Sequence, residues 1–353
     1  MAGDVRANEQ LGLSAMHTVW LREHNRVADR LAELNPQWHG EELYQESRRV
    51  VAAQIQHITY QHWLPLVLGP EGMARMGPYR GYDPAVDPSI ANAFATAAFR
   101  FGHGLVGPVL YRLNETLQPI PEGNLPLHRA FFAPWRLVQE GGIDPVLRGL
   151  FARPAKASSP DQLLNAELTE KLFALHHRVS LDLAAMNIQR GRDHGLPGYN
   201  AWRRQCGLRT AASFADFARE IRSARARDEL RQLYGHPDNV DLWMGGMLEE
   251  HAPGAKMGPT FLCIVADQFR RLRDGDRFWY EADGVFTPGQ LAQIRQTNLA
   301  RILCDNGDAL RQTTRDVFRV PERQTPRIVQ CQSTPQVDLR LWVDCKTCRG
   351  DGT

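Results

Sequence analysis

Residues 13–34 read LSAMHTVWLREHNRVADRLAEL, and the reading of this stretch sets the fold class. Met16, Trp20, Val27, Leu31 and Leu34 fall near helical spacing with Arg and Glu between them, and Pro36 closes the run. A half-buried strand would alternate at every second residue, so the pattern predicts one long amphipathic helix. Working outward, residues 41–64 (EELYQESRRVVAAQIQHITYQHWL) repeat it through Leu43, Val50, Val51, Ile55 and Ile58. Residues 87–110 (DPSIANAFATAAFRFGHGLVGPVL) open on Asp87-Pro88, a helix-start signal, and are rich in Ala and Gly. They predict a third helix that approaches a neighbour or a flat ligand closely. A fourth is predicted from Pro160 to Arg190. Pro/Gly-rich connectors lie at 69–88, 118–126 and 194–202, and RIVQC (327–331) is the one strand candidate. The expectation is a mainly α-helical domain over 1–340 with long loops and very little strand, followed by a polar, cysteine-containing tail at 341–353.

Composition sets the outer bounds. Apolar residues at 43% and charged residues at 23% describe an ordinary globular chain, and 353 residues suffice for a large core. The 42 basic and 40 acidic residues leave a net charge of +2, so no polyelectrolyte partner and no nucleic acid is implied. No run of about 18 apolar residues exists, so no transmembrane segment is expected. The first ten residues lack the apolar region of a signal peptide. The six cysteines (Cys206, Cys263, Cys304, Cys331, Cys345 and Cys348) suit disulfides, which persist in oxidising compartments. Cys345 and Cys348 form a C-x-x-C with no second pair and no nearby histidine, which favours a terminal or interchain disulfide over zinc. A piece of a secreted protein, or an alternative start of one, reconciles these cysteines with the polar N-terminus.

Among the histidines, His24, His57, His62, His176 and His177 lie on predicted amphipathic helices, where a packed or surface imidazole is usual. His103 differs. It sits in RFGHG, beside small residues that leave room for a large planar group, and an imidazole there suits an axial ligand to haem iron. A satisfied core histidine is the alternative, and the residues alone leave both open. Asn187, in AAMNIQRGRDHG, is a plausible orienter of that ring. Arg190, Arg192, Asp193 and His194 form either a buried polar network or a solvated helix end. No serine or cysteine stands in a nucleophile-elbow setting, so a hydrolase reading is weak.

Blocks of the sequence, taken in order, carry more than any single pattern. RANEQLGLSAMHTVWLREHNRVADRL (6–31), IQHITYQHWLPLVLG (55–69), VDPSIANAFATAAFRFGH (86–103), EGGIDPVLRGL (140–150), LDLAAMNIQRGRDHGLPGYNAWRRQCGL (181–208), DNVDLWMGG (238–246) and LRDGDRFWYE (272–281) resemble successive blocks of the animal haem peroxidase family. The tail VDLRLWVDCKTC (337–348) is most similar to the peroxidasin branch. The likeness runs through nearly the whole chain.

The resemblance implies a haem b cofactor and a role for each matching residue. His103 matches the proximal iron ligand, and Asn187 the asparagine that hydrogen-bonds it and gives it anionic character. Arg6 matches the distal arginine that polarises hydrogen peroxide. Glu9 matches the carboxylate that forms an ester with a haem methyl. Arg190 matches an arginine near a haem propionate, and Arg100 one beside the proximal pocket. Gln10 stands where one family member has a vinyl-linked methionine, so that link is not expected. The same alignment implies Cys206–Cys263 and Cys304–Cys331 disulfides, with Cys345 or Cys348 in a link between chains.

The family's distal histidine, its second ester-forming aspartate and its calcium loop lie upstream of the Arg6 position, where this sequence has five residues. The expectation is therefore an N-terminally truncated domain without its calcium site and without the acid/base that contributes about 10²–10⁴-fold in rate. The leading reading is a peroxidase that reduces hydrogen peroxide and oxidises halide (bromide in the peroxidasin branch) or a small organic donor, outside the cell and among matrix partners. Two alternatives stand beside it: a catalytically inactive truncated isoform serving as a matrix or interaction module, and a haem-free nuclease.

Overall fold

The computed structural model describes residues 4–176 and 178–344. The expected helix at 13–34 forms as α1 (Leu11–Leu34), started by the Gln10 side chain, which accepts from Gly12 N, and ended at Asn35 before Pro36. Its buried face is the row Leu11, Ala15, Val19, Glu23, Val27 and Leu31, spaced by four, while Met16, Trp20 and Leu34 pack half-buried beside it. Glu23 in that row is fully buried but not unpaired. Its carboxylate accepts from Arg26, Gln54 and Asn306, which satisfies the charge where burial alone would be costly.

Helix α2 (Gly40–His57) starts on a capping box between His39 and Glu42 and packs along α1. It does not end at His57 but passes through a π-helical turn, Ile58–Trp63, into α3 (Leu64–Met76). Gly69 breaks α3 at φ +64, where a Cβ would lie 2.8 Å from the Gly254 carbonyl carbon. Only glycine meets both demands.

The third and fourth predicted helices are corrected by the structure. Over 87–110 there is an Asx turn from Asp87 to Ser89, then α4 (Asn92–Thr96), a break at Ala97 and a 3₁₀ stretch, Ala98–Leu105. Small residues give the helix little side-chain support, and close tertiary packing at Gly104 decides the path instead. The chain continues through the antiparallel pair β1 (Val109–Leu110) and β2 (Leu125–Pro126), α5 (Trp135–Gln139) and α6 (Asp144–Ala152). Over Pro160–Arg190 the predicted single helix is two: α7 (Ala166–Thr169), capped by Asn165, and α8 (Leu183–Asp193), capped by Asp182. Phe173 at φ +56 stands between them, a conformation that no helix continues through. His176 therefore lies on a turn, and His177 lies outside the described residues.

The remaining elements are α9 (Tyr199–Gln205), α10 (Ala224–Tyr234), α11 (Leu242–Leu248), α12 (Pro259–Asp274), α13 (Pro288–Ile294) and α14 (Leu299–Asn306). A second small pair, β3 (Gln312–Thr313) and β4 (Val329–Gln330), includes the predicted strand. Helix α12 packs on α3 in the main core, with Leu64, Leu68, Phe261, Leu262 and Val265 buried between them. Both implied disulfides form: Cys206–Cys263 ties the end of α9 to α12, and Cys304–Cys331 ties α14 to the residue after β4. Cys345 and Cys348 lie outside the described residues. No helix among the described residues is long and apolar enough to cross a membrane.

Candidate functional site

The 3₁₀ stretch Ala98–Leu105 presents His103. One side of this stretch is packed: a Cβ on Gly104 would lie 3.0 Å from both Met247 Cε and Ser158 Oγ. The other side is open, for a Cβ on Gly102 would meet nothing within 4 Å. Across from it, α8 presents Asn187, which is fully buried. Arg100 Nη1 donates to Asn187 Oδ1 at 3.0 Å, and its Nε donates to the Ala95 carbonyl at 3.1 Å. With Oδ1 so held, Asn187 Nδ2 donates to His103 Nδ1 at 2.9 Å.

This relay sets the state of the imidazole. Burial, and then the Arg100 charge, push its pKa down to about 4, so the ring is neutral at physiological pH. An Nδ1 that accepts carries no proton, so the neutral ring carries its proton on Nε2, and that proton would have to leave before Nε2 could ligate a metal. Nε2 has no partner among the described residues. Arg190, one turn further along α8, is exposed and makes no ion pair or side-chain hydrogen bond among the described residues, and its charge acts on Arg100. His103, Asn187 and Arg100 are thus joined directly, with Arg190 in electrostatic reach.

Arg6 and Glu9 form a second group at the start of α1. Arg6 is exposed and bonds to Asp4 through its backbone N–H and its guanidinium. Glu9 is half-buried, its carboxylate takes no hydrogen bond or ion pair among the described residues, and burial pushes its pKa up. Its backbone is fixed, because Phe132 N donates to Glu9 O at 3.0 Å and Gln10 bridges to Phe131. No hydrogen bond or ion pair joins this group to the four residues around His103. Gln10 is occupied as the cap of α1.

The expected alternative of a buried network at the end of α8 is not what forms. Arg192 is exposed and pairs with Asp241 at 2.7 Å, Asp193 accepts from Gln189, and His194 Nδ1 bonds to Asn92. The segment lies at the surface, where separate pairs satisfy each charge in water. The sequence reading missed Lys156, whose Nζ donates to the carbonyls of Ala157 and Gln162, at 2.8 and 2.5 Å, and reaches that of Gly104 at 3.5 Å. Lys156 N also donates to Leu105 O, and Asn165 Nδ2 to Val106 O. The loop 156–165 therefore clamps the residues that follow His103. A lysine in a Pro/Ala/Ser stretch carries no sequence signal for this.

The residues present fit a haem. His103 offers a single neutral imidazole whose other nitrogen is held by Asn187, the donor set that suits a metal already carried in a macrocycle. Exposed apolar side chains, Phe99 and Met186, flank the His103 and Asn187 positions, and Arg190 has donors to spare for an anionic group.

The animal haem peroxidase family model matches residues 1–318. The chain is 57% identical to peroxidasin from Drosophila melanogaster over 348 residues, 99% of this chain and 23% of that protein. It is 57% identical to the peroxidasin homolog of Homo sapiens over 353 residues, 100% of this chain and 24% of that protein. The chain thus spans about a quarter of the length of these curated relatives. Its fold matches peroxidase A from Dictyostelium discoideum with a TM-score of 0.75 and 36% identity, covering 85% of this chain and 56% of that one.

Proposed function

The chain belongs to the animal haem peroxidase family, and from that premise we propose that it reduces hydrogen peroxide at a haem b held by His103 and oxidises bromide or a small organic donor. The observation that carries this reading is the relay Arg100–Asn187–His103, which fixes Nδ1 as the acceptor and leaves Nε2, with its proton, as the nitrogen turned away from the relay. Haem, when bound, supplies the electrons that reduce peroxide and the oxidising power that the donor then meets. His103 would hold the haem iron through Nε2, which gives up its proton on binding. Asn187, by donating to Nδ1, disfavours a proton there, so a ring that released its Nε2 proton to solvent on binding iron would be anionic in character. Arg100 is a positioning residue that holds the Asn187 amide in this orientation. Arg190, exposed and without an ion pair among the described residues, would take a propionate through charge-assisted hydrogen bonds. Arg6, once free of Asp4, would polarise peroxide, and Glu9, half-buried and without a side-chain partner among the described residues, stands where the family has a carboxylate joined to the haem periphery.

Residues 1–340 are taken as the peroxidase domain and 341–353 as its tail. Two disulfides support a place outside the cell, among matrix partners, and Cys345 or Cys348 is assigned to a link between chains. In the family the calcium loop lies upstream of the Arg6 position, and no calcium ligand is assigned within this chain.

One observation favours a second reading, a catalytically silent haem domain that serves as an interaction module: Arg6 is exposed and bonded to Asp4. Peroxide-dependent bromide or donor oxidation by the haem-loaded chain separates the two. Turnover that falls in Arg6→Ala supports the peroxidase reading; a haem-loaded chain without turnover supports the silent one.

A further inference from the structure

The near-balanced charge of the whole chain conceals a local imbalance. From the residue before β3 to the approach to β4 the sequence places Arg311, Arg315, Arg319, Arg323 and Arg327 at intervals of four. Only Asp316 and Glu322 oppose them, so this one segment carries an excess of three positive charges in a chain whose total excess is two. All five arginines are exposed. Arg319 pairs with Asp316 at 3.2 Å, and the other four have no ion pair and no side-chain hydrogen bond among the described residues.

The segment is held in shape rather than loose. Its base is closed by the β3–β4 pair, by Cys331 N donating to Arg311 O, and by the Cys304–Cys331 disulfide. Its middle is braced by Gln324, which accepts from Asp316 N and donates to the carbonyls of Asp316 and Arg319. Thr313, Thr314 and Pro321 are buried, and Val317 and Phe318 pack against the core formed around α1 and α6. Inward residues thus alternate with outward arginines. Arg315 and Arg319 border a cavity of about 690 Å³. Arg327 shares a neighbouring concavity of about 220 Å³ with Arg153.

We propose that the segment 311–327 is a docking surface for a linear sulfated polysaccharide. The cations are spread along an ordered strip and do not converge on one point, which suits a polymer with regularly spaced anions and not a single small anion. Arginine's planar fork matches sulfate oxygens as it matches phosphate or carboxylate. A single-stranded nucleic acid would call for exposed aromatic rings to stack on, and no aromatic side chain of this segment is exposed. The two disulfides also belong to an oxidising compartment, where the abundant linear polyanions are sulfated glycans.

The test is retention of the full chain on immobilised heparin across a salt gradient. The loop variant is Arg315→Ser/Arg323→Ser/Arg327→Ser, and a charge-matched control is Arg219→Ser/Arg225→Ser/Arg231→Ser on and beside α10. Near-UV circular dichroism checks that both variants keep the native fold. Wild type and control should elute together, and the loop variant at lower salt. For a linear polyanion that releases about 0.7 counterion per contact, losing three contacts lowers the slope of log affinity against log salt by about 2. Equal retention of the loop variant, or equal loss in the control, overturns the proposal. So does competition by polyuridylate, phosphatidylserine vesicles or fully desulfated heparin as effective as that by heparin itself.

Discussion

Asn187 and His103 lie 84 residues apart in sequence and meet through a 2.9 Å hydrogen bond, with Arg100 bonded to the far side of the same amide. The bond defines which imidazole nitrogen carries the proton, and it makes a fully buried side chain answerable for the state of a site on an open face.

Replacing Asn187 by Leu removes both hydrogen bonds of this amide at once. Burial without the hydrogen bonds leaves Arg100 Nη1 and His103 Nδ1 unsatisfied, at a cost of about 1–3 kcal/mol. Urea denaturation should show that loss, and haem titration of the same variant should show weaker binding. A variant as stable as wild type that binds haem equally well contradicts the relay.

Two of the histidines with lowered pKa values, those displaced furthest, make stability depend on pH with a definite sign. His103 and His57 both have pKa values pushed down to about 4, in each case chiefly by burial. Between about pH 4 and the ordinary histidine value of 6.5 the unfolded chain binds protons that the folded chain does not. Stability therefore rises with pH in that window and is lost as pH falls through it, by up to roughly 3 kcal/mol per histidine. Urea midpoints at pH 7 and pH 4.5 measure the drop, and His103→Gln should flatten it.

Two glycines two residues apart should behave oppositely. Gly104→Ala drives a methyl against Met247, Ser158 and the Leu163 carbonyl, for about 1–3 kcal/mol of overpacking. Gly102→Ala meets no atom within 4 Å and should leave the melting temperature unchanged. If haem approaches His103 from that open side, Gly102→Ala lowers haem affinity without lowering stability, a separation that calorimetry and titration read directly.

The Cys206–Cys263 bridge spans 57 residues, and loop-closure entropy assigns it about 4 kcal/mol. A Cys206→Ala/Cys263→Ala variant should melt well below wild type under oxidising conditions and like reduced wild type under reducing ones. Equal melting in both conditions contradicts a structural role for the bridge.

Helices α1 and α2 were legible in the sequence because their apolar positions recur without interruption and Pro36 separates them. The third and fourth predicted helices were not, because the deciding contacts are tertiary. Gly104 is pressed against Met247 and the 158–163 loop, and Asn165 and Asp182 cap two short helices where periodicity alone reads one. The π-helical turn at Ile58–Trp63 leaves no periodic trace, since it adds one residue per turn to an otherwise helical pattern. At the site, spacing could nominate His103 and Asn187 separately but could not join them; only the family resemblance implied their bond. The open reading of Arg192, Asp193 and His194 was settled by exposure, which no local pattern reports.

The central claim is that His103 Nε2 is the axial donor to haem iron. Haem titration of wild type and His103→Ala, followed through the Soret band, tests it most directly. The account predicts a saturable, histidine-ligated spectrum in wild type and its loss in His103→Ala, with recovery on adding free imidazole. An unchanged Soret spectrum in His103→Ala contradicts it.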